Sequence, residues 1–356
     1  MLKTYTSVIF WMRAICCLSV VMIHSVTTTF YKFDMPNSGY ILRVFQLLLL
    51  FATPMFVFIS EFLLAKNYRT SVKKGFFKQK LLMLGVPYIF INLGLAYVFG
   101  HPKNIEDYID SVNYMMFHGG TVTYFIVIIF QFYLLHILFS KYLVHLNPVK
   151  ITICSIVFSS LFWAMRKFVE TPDNYLISWL WQREGWMIFF GWLCYFILGF
   201  YIGYYYEEFM NSIKNYTIPI LIGTAFITIW VIYNYMSGWL TLVDSKRVDT
   251  PIYVTMIILL FFLLSSYFKY VPKFILFISN YSFSIYLLHY FFVHRLGQLH
   301  DHPVLNMLFT FILCIVFSVS IAYIANQFKL GKYIVGGIGN LSHEQFYKKY
   351  KMGLVD

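Results

Sequence analysis

Charge is scarce in this sequence. Only 12% of its 356 residues are Asp, Glu, Lys or Arg, whereas 60% are hydrophobic, and mean hydropathy is +0.69. A soluble domain of this length needs far more polar surface, so the bilayer rather than water is the solvent for most of the chain. Acidic residues are rarer still, 15 against 27 Lys and Arg, for a formal charge of +12. In a soluble protein that excess would suggest nucleic acid. Here the basic residues sit in short loops between apolar runs, where topology and anionic lipid account for them, and no nucleic-acid partner is expected. The five cysteines, Cys16, Cys17, Cys154, Cys194 and Cys314, lie within apolar runs and form no CxxC pair. That excludes a disulfide framework and a zinc site, and no metal is expected; they read as small core residues. There is no internal repeat, low-complexity stretch or inverted symmetry of the transporter kind. A cleavable leader is not expected either, because the first apolar run carries Arg13, exceeds the usual length and lacks a small-residue cleavage site.

Aromatic residues, by contrast, are plentiful, with 39 Phe and 30 Tyr, as lipid-facing bulk and interfacial belts require. Apolar segments long enough to cross a bilayer fall at 8–28, 41–65, 81–99, 122–140, 150–168, 186–206, 217–236, 252–268, 273–293 and 304–328. The expected fold is therefore an all-α polytopic membrane protein of about ten transmembrane helices. Orientation follows from the lysine bias. The 66–80 loop holds Lys66, Arg69, Lys73, Lys74, Lys78 and Lys80 and should be cytoplasmic; an even number of spans then places both termini in the cytoplasm. Residues 1–330 form one membrane domain, and 331–356 a short basic cytoplasmic tail with Lys332, Lys348, Lys349 and Lys351.

Ionisable groups at membrane depth are costly, and each is a functional candidate. Arg13 and His24 share the first span. Eleven residues separate them, ~16 Å along a helix, and eleven steps of ~100° leave only ~20°, so both project from one face. The alternation of spans puts Arg13, Ser60, Glu61, Lys78 and Lys80 in a cytoplasmic layer, and His24 and His289 in an outer one. Arg and Lys suit phosphates; histidine suits proton abstraction from a hydroxyl. Plainer roles remain open at this point: a snorkelling anchor for Arg13, a core histidine for His24, a topology signal for Lys80, neutralisation of Arg13 by Glu61, helix packing for Ser60.

The spacing Arg13–ten residues–His24 resembles the first-helix signature of the acyltransferase-3 family of bacterial membrane O-acyltransferases. Three further stretches match in order: Phe56-Val-Phe-Ile-Ser-Glu-Phe62, Lys80 seven residues before Pro87, and Ser279-Asn-Tyr-Ser-Phe-Ser-Ile-Tyr-Leu-Leu-His289. Tyr195-Phe-Ile-Leu-Gly199-Phe-Tyr-Ile-Gly203 is similar to a middle span of the family. Glu61 stands where the family has Gly, Lys80 where Arg is commoner, and Tyr290 where Pro is usual. These departures resemble the branch containing the intercellular-adhesin C protein of staphylococcal poly-N-acetylglucosamine biofilm loci.

The resemblance implies transfer of an acyl group, acetyl or succinyl, from cytoplasmic acyl-CoA to a hydroxyl of a cell-surface glycan. Arg13, Lys78 and Lys80 would hold the donor phosphates, with Ser60 and Glu61 beside them. His24 would act as general base, assisted by His289. Membrane lipids, the glycan acceptor and a glycan synthase are the expected partners, in the bacterial cell membrane. Export of the glycan without acyl transfer is the alternative. Trp163, Trp179, Trp181, Trp186 and Trp239 are expected at the outer rim, as sugar-stacking platforms or as an interfacial belt.

Overall fold

The computed structural model describes residues 7–33, 39–268, 270–339 and 341–352. Ten helices in it are long and apolar enough to cross a membrane: α1 (Ser7–Phe33), α2 (Tyr40–Tyr68), α3 (Phe76–Gly100), α4 (Val122–Leu143), α5 (Pro148–Phe168), α6 (Arg183–Tyr204), α7 (Tyr206–Met236), α8 (Thr250–Tyr267), α9 (Lys273–Arg295) and α10 (Pro303–Asn326). Each apolar run of the sequence becomes one of them, because in hydrocarbon every backbone polar group must be satisfied within its own segment. No strand occurs among the described residues. The chain ends themselves, residues 1–6 and 353–356, lie outside the described residues.

Two contacts organise the bundle. First, α1 and α9 run parallel and in register. The Trp11 indole donates to the Tyr270 carbonyl just before α9 (3.2 Å), Arg13 Nε donates to Ser282 Oγ (3.2 Å), and Lys32 Nζ donates to the Leu296 carbonyl just after it (2.6 Å). Second, α2 and α6 meet backbone to backbone. A Cβ on Gly203 would lie 2.6 Å from the Phe62 carbonyl oxygen, and one on Gly199 would lie 3.0 Å from that of Phe58. Without a hydrophobic driving force in lipid, such close approach lets dispersion hold helices together.

Several spans are not continuous α-helix. In α2 a turn at residues 49–51 interrupts the helix ahead of Pro54, and the freed Leu48 carbonyl accepts a hydrogen bond from the Tyr253 hydroxyl of α8 (2.7 Å). Residues Leu81–Gly85 of α3 form a π-turn immediately after Lys80 and just before Pro87. The entry to α6 is a series of single 3₁₀ turns, Trp179–Trp181, Arg183–Trp186 and Phe189–Trp192.

The segment after α10 is docked on the bundle at Gly336, Leu341 and Phe346. The Asn280 side chain donates to the Leu341 carbonyl (2.9 Å) and Ser284 to that of Gly336 (3.2 Å). Phe346 is fully buried edge-on to Phe10, with 5.6 Å between ring centroids. Of the cysteines, Cys154 is exposed on α5 while the other four are buried. Cys154 is therefore not a core residue: α5 turns that face outward, where lipid would cover it.

Candidate active site

The register of α1 and α9 brings His24 and His289 together. Their ring centroids lie 5.3 Å apart. Tyr290 stands edge-on to His24 at 5.9 Å, and Tyr286 to His289 at 5.6 Å. His289 is fully buried. Its Nδ1 lies 2.7 Å from the Tyr286 carbonyl and 3.2 Å from that of Ile285. Carbonyl oxygens only accept, so Nδ1 carries the proton, and in the neutral ring Nε2 carries the lone pair. Among the described residues that nitrogen has no hydrogen-bond partner. His24 is only partly buried, and among the described residues neither of its ring nitrogens makes a hydrogen bond. The pair thus offers a nitrogen lone pair of fixed orientation beside a second imidazole that retains exposed surface.

Beyond His24 the same face continues to Tyr290 and His294, 4.5 Å apart between centroids, with Phe99 packed against both. Tyr286 fixes the floor: its hydroxyl donates to the Val122 carbonyl (2.7 Å) and its ring packs at 4.3 Å on Phe125 of α4.

The residues expected at the opposite end are dispersed. Arg13 is partly buried and bonded to Ser282 of α9. The Lys80 ammonium lies 5.4 Å from both the Phe76 and Tyr133 ring centroids, and Lys78 is exposed. Ser60 returns its hydroxyl to the Val57 carbonyl of its own helix (2.7 Å). Glu61 is a correction to the expectation. It does not neutralise Arg13; its carboxylate pairs with His136 Nδ1 of α4 at 2.6 Å, and both side chains are completely buried. A carboxylate enclosed between α2, α4 and Gly199 of α6 presents nothing to a donor; it locks helices together instead.

The end of the bundle beyond the histidines is covered by structure that the sequence pattern did not reveal. The 3₁₀ series before and within α6 forms a cap, pinned from several sides. Arg166 donates to the carbonyls of Trp181 (3.0 Å) and Gln182 (2.8 Å); Arg183 donates to the Tyr114 hydroxyl (2.6 Å); Gln131 donates to the Met187 carbonyl (2.6 Å) and accepts from the Phe189 amide (3.0 Å); Glu184 pairs with His118. Several rim aromatics are consumed by the cap. Trp163 is 2% exposed and donates to the Gly191 carbonyl, and Trp181 donates to that of Val169. Trp179 and Trp239 remain exposed.

The loop between α7 and α8 meets the cap at Trp186. It is held by Arg247, 2% exposed, which donates to both carboxylate oxygens of Asp249 (2.9 and 2.6 Å) and to the carbonyls of Leu240, Leu242 and Val231. Asn234 completes Asp249's shell at 3.0 Å. The neighbouring Lys246 is directed inward. Its ammonium pairs with Asp244, lies 4.3 Å from the Trp186 ring centroid and 5.4 Å from that of Tyr124, and is close enough to His24 for its charge to act there. Burial disfavours the ammonium, but Asp244 and Tyr124 outweigh it, and the pKa is raised above the ordinary lysine value. Lys246 is therefore charged at physiological pH. Among the described residues no cluster of three metal-ligating side chains occurs.

Residues 9–326 match the family described as an acyltransferase domain, Acyl_transf_3. The chain is 34% identical over 349 residues to YfiQ of Bacillus subtilis (strain 168), provisionally named a membrane-bound acyltransferase, covering 93% of this chain and 94% of that one. It is 24% identical over 338 residues to a Staphylococcus aureus protein (92% and 94% covered), and 25% identical over 341 residues to one of Staphylococcus epidermidis (92% and 93%). Both carry the provisional name poly-β-1,6-N-acetyl-D-glucosamine export protein. No solved structure is matched. Together with the ten apolar helices, these similarities make the chain a multi-pass bacterial membrane protein.

Proposed function

This chain belongs to the acyltransferase-3 family, and from that membership we propose that it transfers an acyl group, acetyl or succinyl, from cytoplasmic acyl-CoA to a hydroxyl of a surface glycan. Poly-N-acetylglucosamine is the acceptor that the staphylococcal similarities suggest. The observation that carries the reading is the His24–His289 pair, with 5.3 Å between rings and the Nε2 of His289 unpartnered. A neutral imidazole nitrogen accepts a hydroxyl proton in the attacking step and returns it to the leaving thiolate. His24, the more accessible of the two, is the base that meets the acceptor; His289, its tautomer fixed by two carbonyls, orients the hydroxyl. Arg13, Lys78 and Lys80 lie at the other end of the bundle, on the side proposed as cytoplasmic, and hold the donor phosphates there. A glycan synthase is the proposed partner.

Export of the same polysaccharide is the second reading, favoured by the names of the staphylococcal relatives. Ester content per unit of displayed glycan separates the two. His24→Ala should abolish esters while expression and insertion stay intact. His24→Gln, which keeps polarity and approximate size, should do the same. Normal ester content in both variants refutes the catalytic role. Loss of displayed glycan with normal esters on the remainder favours export.

A further inference from the structure

We infer that Lys246 is a substrate-contacting residue of the transfer step, its ammonium facing the negative charge that develops on the acyl carbonyl oxygen. The inference rests on the acyl-transfer reading. As the acceptor hydroxyl oxygen bonds to the thioester carbonyl carbon, its proton passes to an imidazole nitrogen and the carbonyl electron pair moves onto oxygen. Collapse of that tetrahedral oxyanion breaks the carbon–sulfur bond, and the thiolate leaves with the proton from the imidazolium. The oxyanion lasts only through this passage, and a fixed cation in a water-poor site stabilises it without reorganisation.

Three observations converge on Lys246. Its position is built: Arg247, the next residue, spends its guanidinium on Asp249 and three backbone carbonyls, so the loop cannot drift. Its surroundings are dry, with the side chain 8% exposed and two aromatic rings within 5.4 Å of the ammonium. Its charge acts on His24, and of a lysine's three donors Asp244 and the Tyr124 hydroxyl take two, which leaves one. Of the other cations nearby, Arg183 donates to the Tyr114 hydroxyl and lies over the Trp186 ring, and Arg166 donates to the Trp181 and Gln182 carbonyls. An ammonium whose only task was to hold the loop would duplicate what Arg247 already does.

The test uses the full-length protein in nanodiscs, with radiolabelled acetyl-CoA or succinyl-CoA as donor and β-1,6-linked N-acetylglucosamine oligomers as acceptor. Lys246→Met should lower kcat by roughly 10²–10³-fold, the effect of removing one oxyanion donor, while KM for both substrates stays within about threefold. Lys246→Arg, which keeps the charge, should recover most of the loss. An active Lys246→Met protein overturns the inference, as does a defect carried by KM or one that Arg fails to relieve. A wild-type protein that transfers neither acyl group overturns the acyl-transfer reading itself, an outcome distinct from any behaviour of the variants.

Discussion

Replacing Arg247 by Met should unfasten the loop between α7 and α8 while leaving the bundle assembled. The wild-type guanidinium makes five hydrogen bonds, two to Asp249 and one each to the carbonyls of Leu240, Leu242 and Val231. Methionine fills much of the same volume but strands the carboxylate of Asp249, which is 5% exposed and keeps only the Asn234 amide. Removing one partner of a buried ion pair costs about 3–5 kcal/mol. At ~1.4 kcal/mol per factor of ten, the closed loop should open roughly 10²–10³·⁵ times more often. Hydrogen exchange reads this directly at the Leu240 amide, bonded to the Asn234 carbonyl, and at the Lys246 amide, bonded to Asp244. Adding Asp249→Asn should recover part of the protection, because the stranded charge is then gone. Unchanged exchange at these amides would refute the argument. Faster exchange spread evenly over α1 to α10 would refute it too, by showing that Arg247 supports the whole bundle.

Two other outcomes follow from the packing and from the charge pattern. Gly203→Ala should cost about 1–3 kcal/mol, as overpacking does, and more than Gly199→Ala, since its Cβ would meet the Phe62 carbonyl oxygen at 2.6 Å against 3.0 Å at Phe58; thermal denaturation in detergent measures both, and the reverse order would sink the close-packing account. A cysteine at position 74, in a chain lacking the five natural ones, should resist an impermeant maleimide on intact cells and react after permeabilisation; labelling from outside would invert the proposed orientation and with it the cytoplasmic donor site.

Most of the helix plan was legible because lipid demands long apolar runs, and all ten appear near the positions that composition assigns. The pairing of His24 with His289 was legible too, from span parity and the shared depth of the two residues. What one dimension does not carry is lateral register. Sequence position sets Glu61 against Arg13 because both lie toward the same end, whereas packing of α2 between α4 and α6 turns its carboxylate to His136. The break at 49–51 is hidden within an unbroken apolar run, its carbonyl satisfied by a tyrosine some 200 residues away. The cap and Lys246 are not legible in the sequence for a related reason. Loop charges read as topology signals, and nothing local distinguishes a solvated lysine from one turned inward by an arginine anchored to distant carbonyls. The run Asp244-Ser-Lys-Arg-Val-Asp249, with acids bracketing two adjacent cations, was the signal available.

The parallel union of α1 and α9 has a consequence for biosynthesis. Arg13 and its partner Ser282 are 269 residues apart, so at ~5–20 residues per second a ribosome needs roughly 15–50 s to supply the second helix after the first. Throughout that interval the nascent α1 sits in or beside the insertion machinery with a guanidinium and an imidazole that the mature fold shelters. Holding such a segment back from free lipid until its late partner emerges is a task for the translocon or an insertion chaperone, and a chain released before α9 would carry half of each polar contact and the whole of neither.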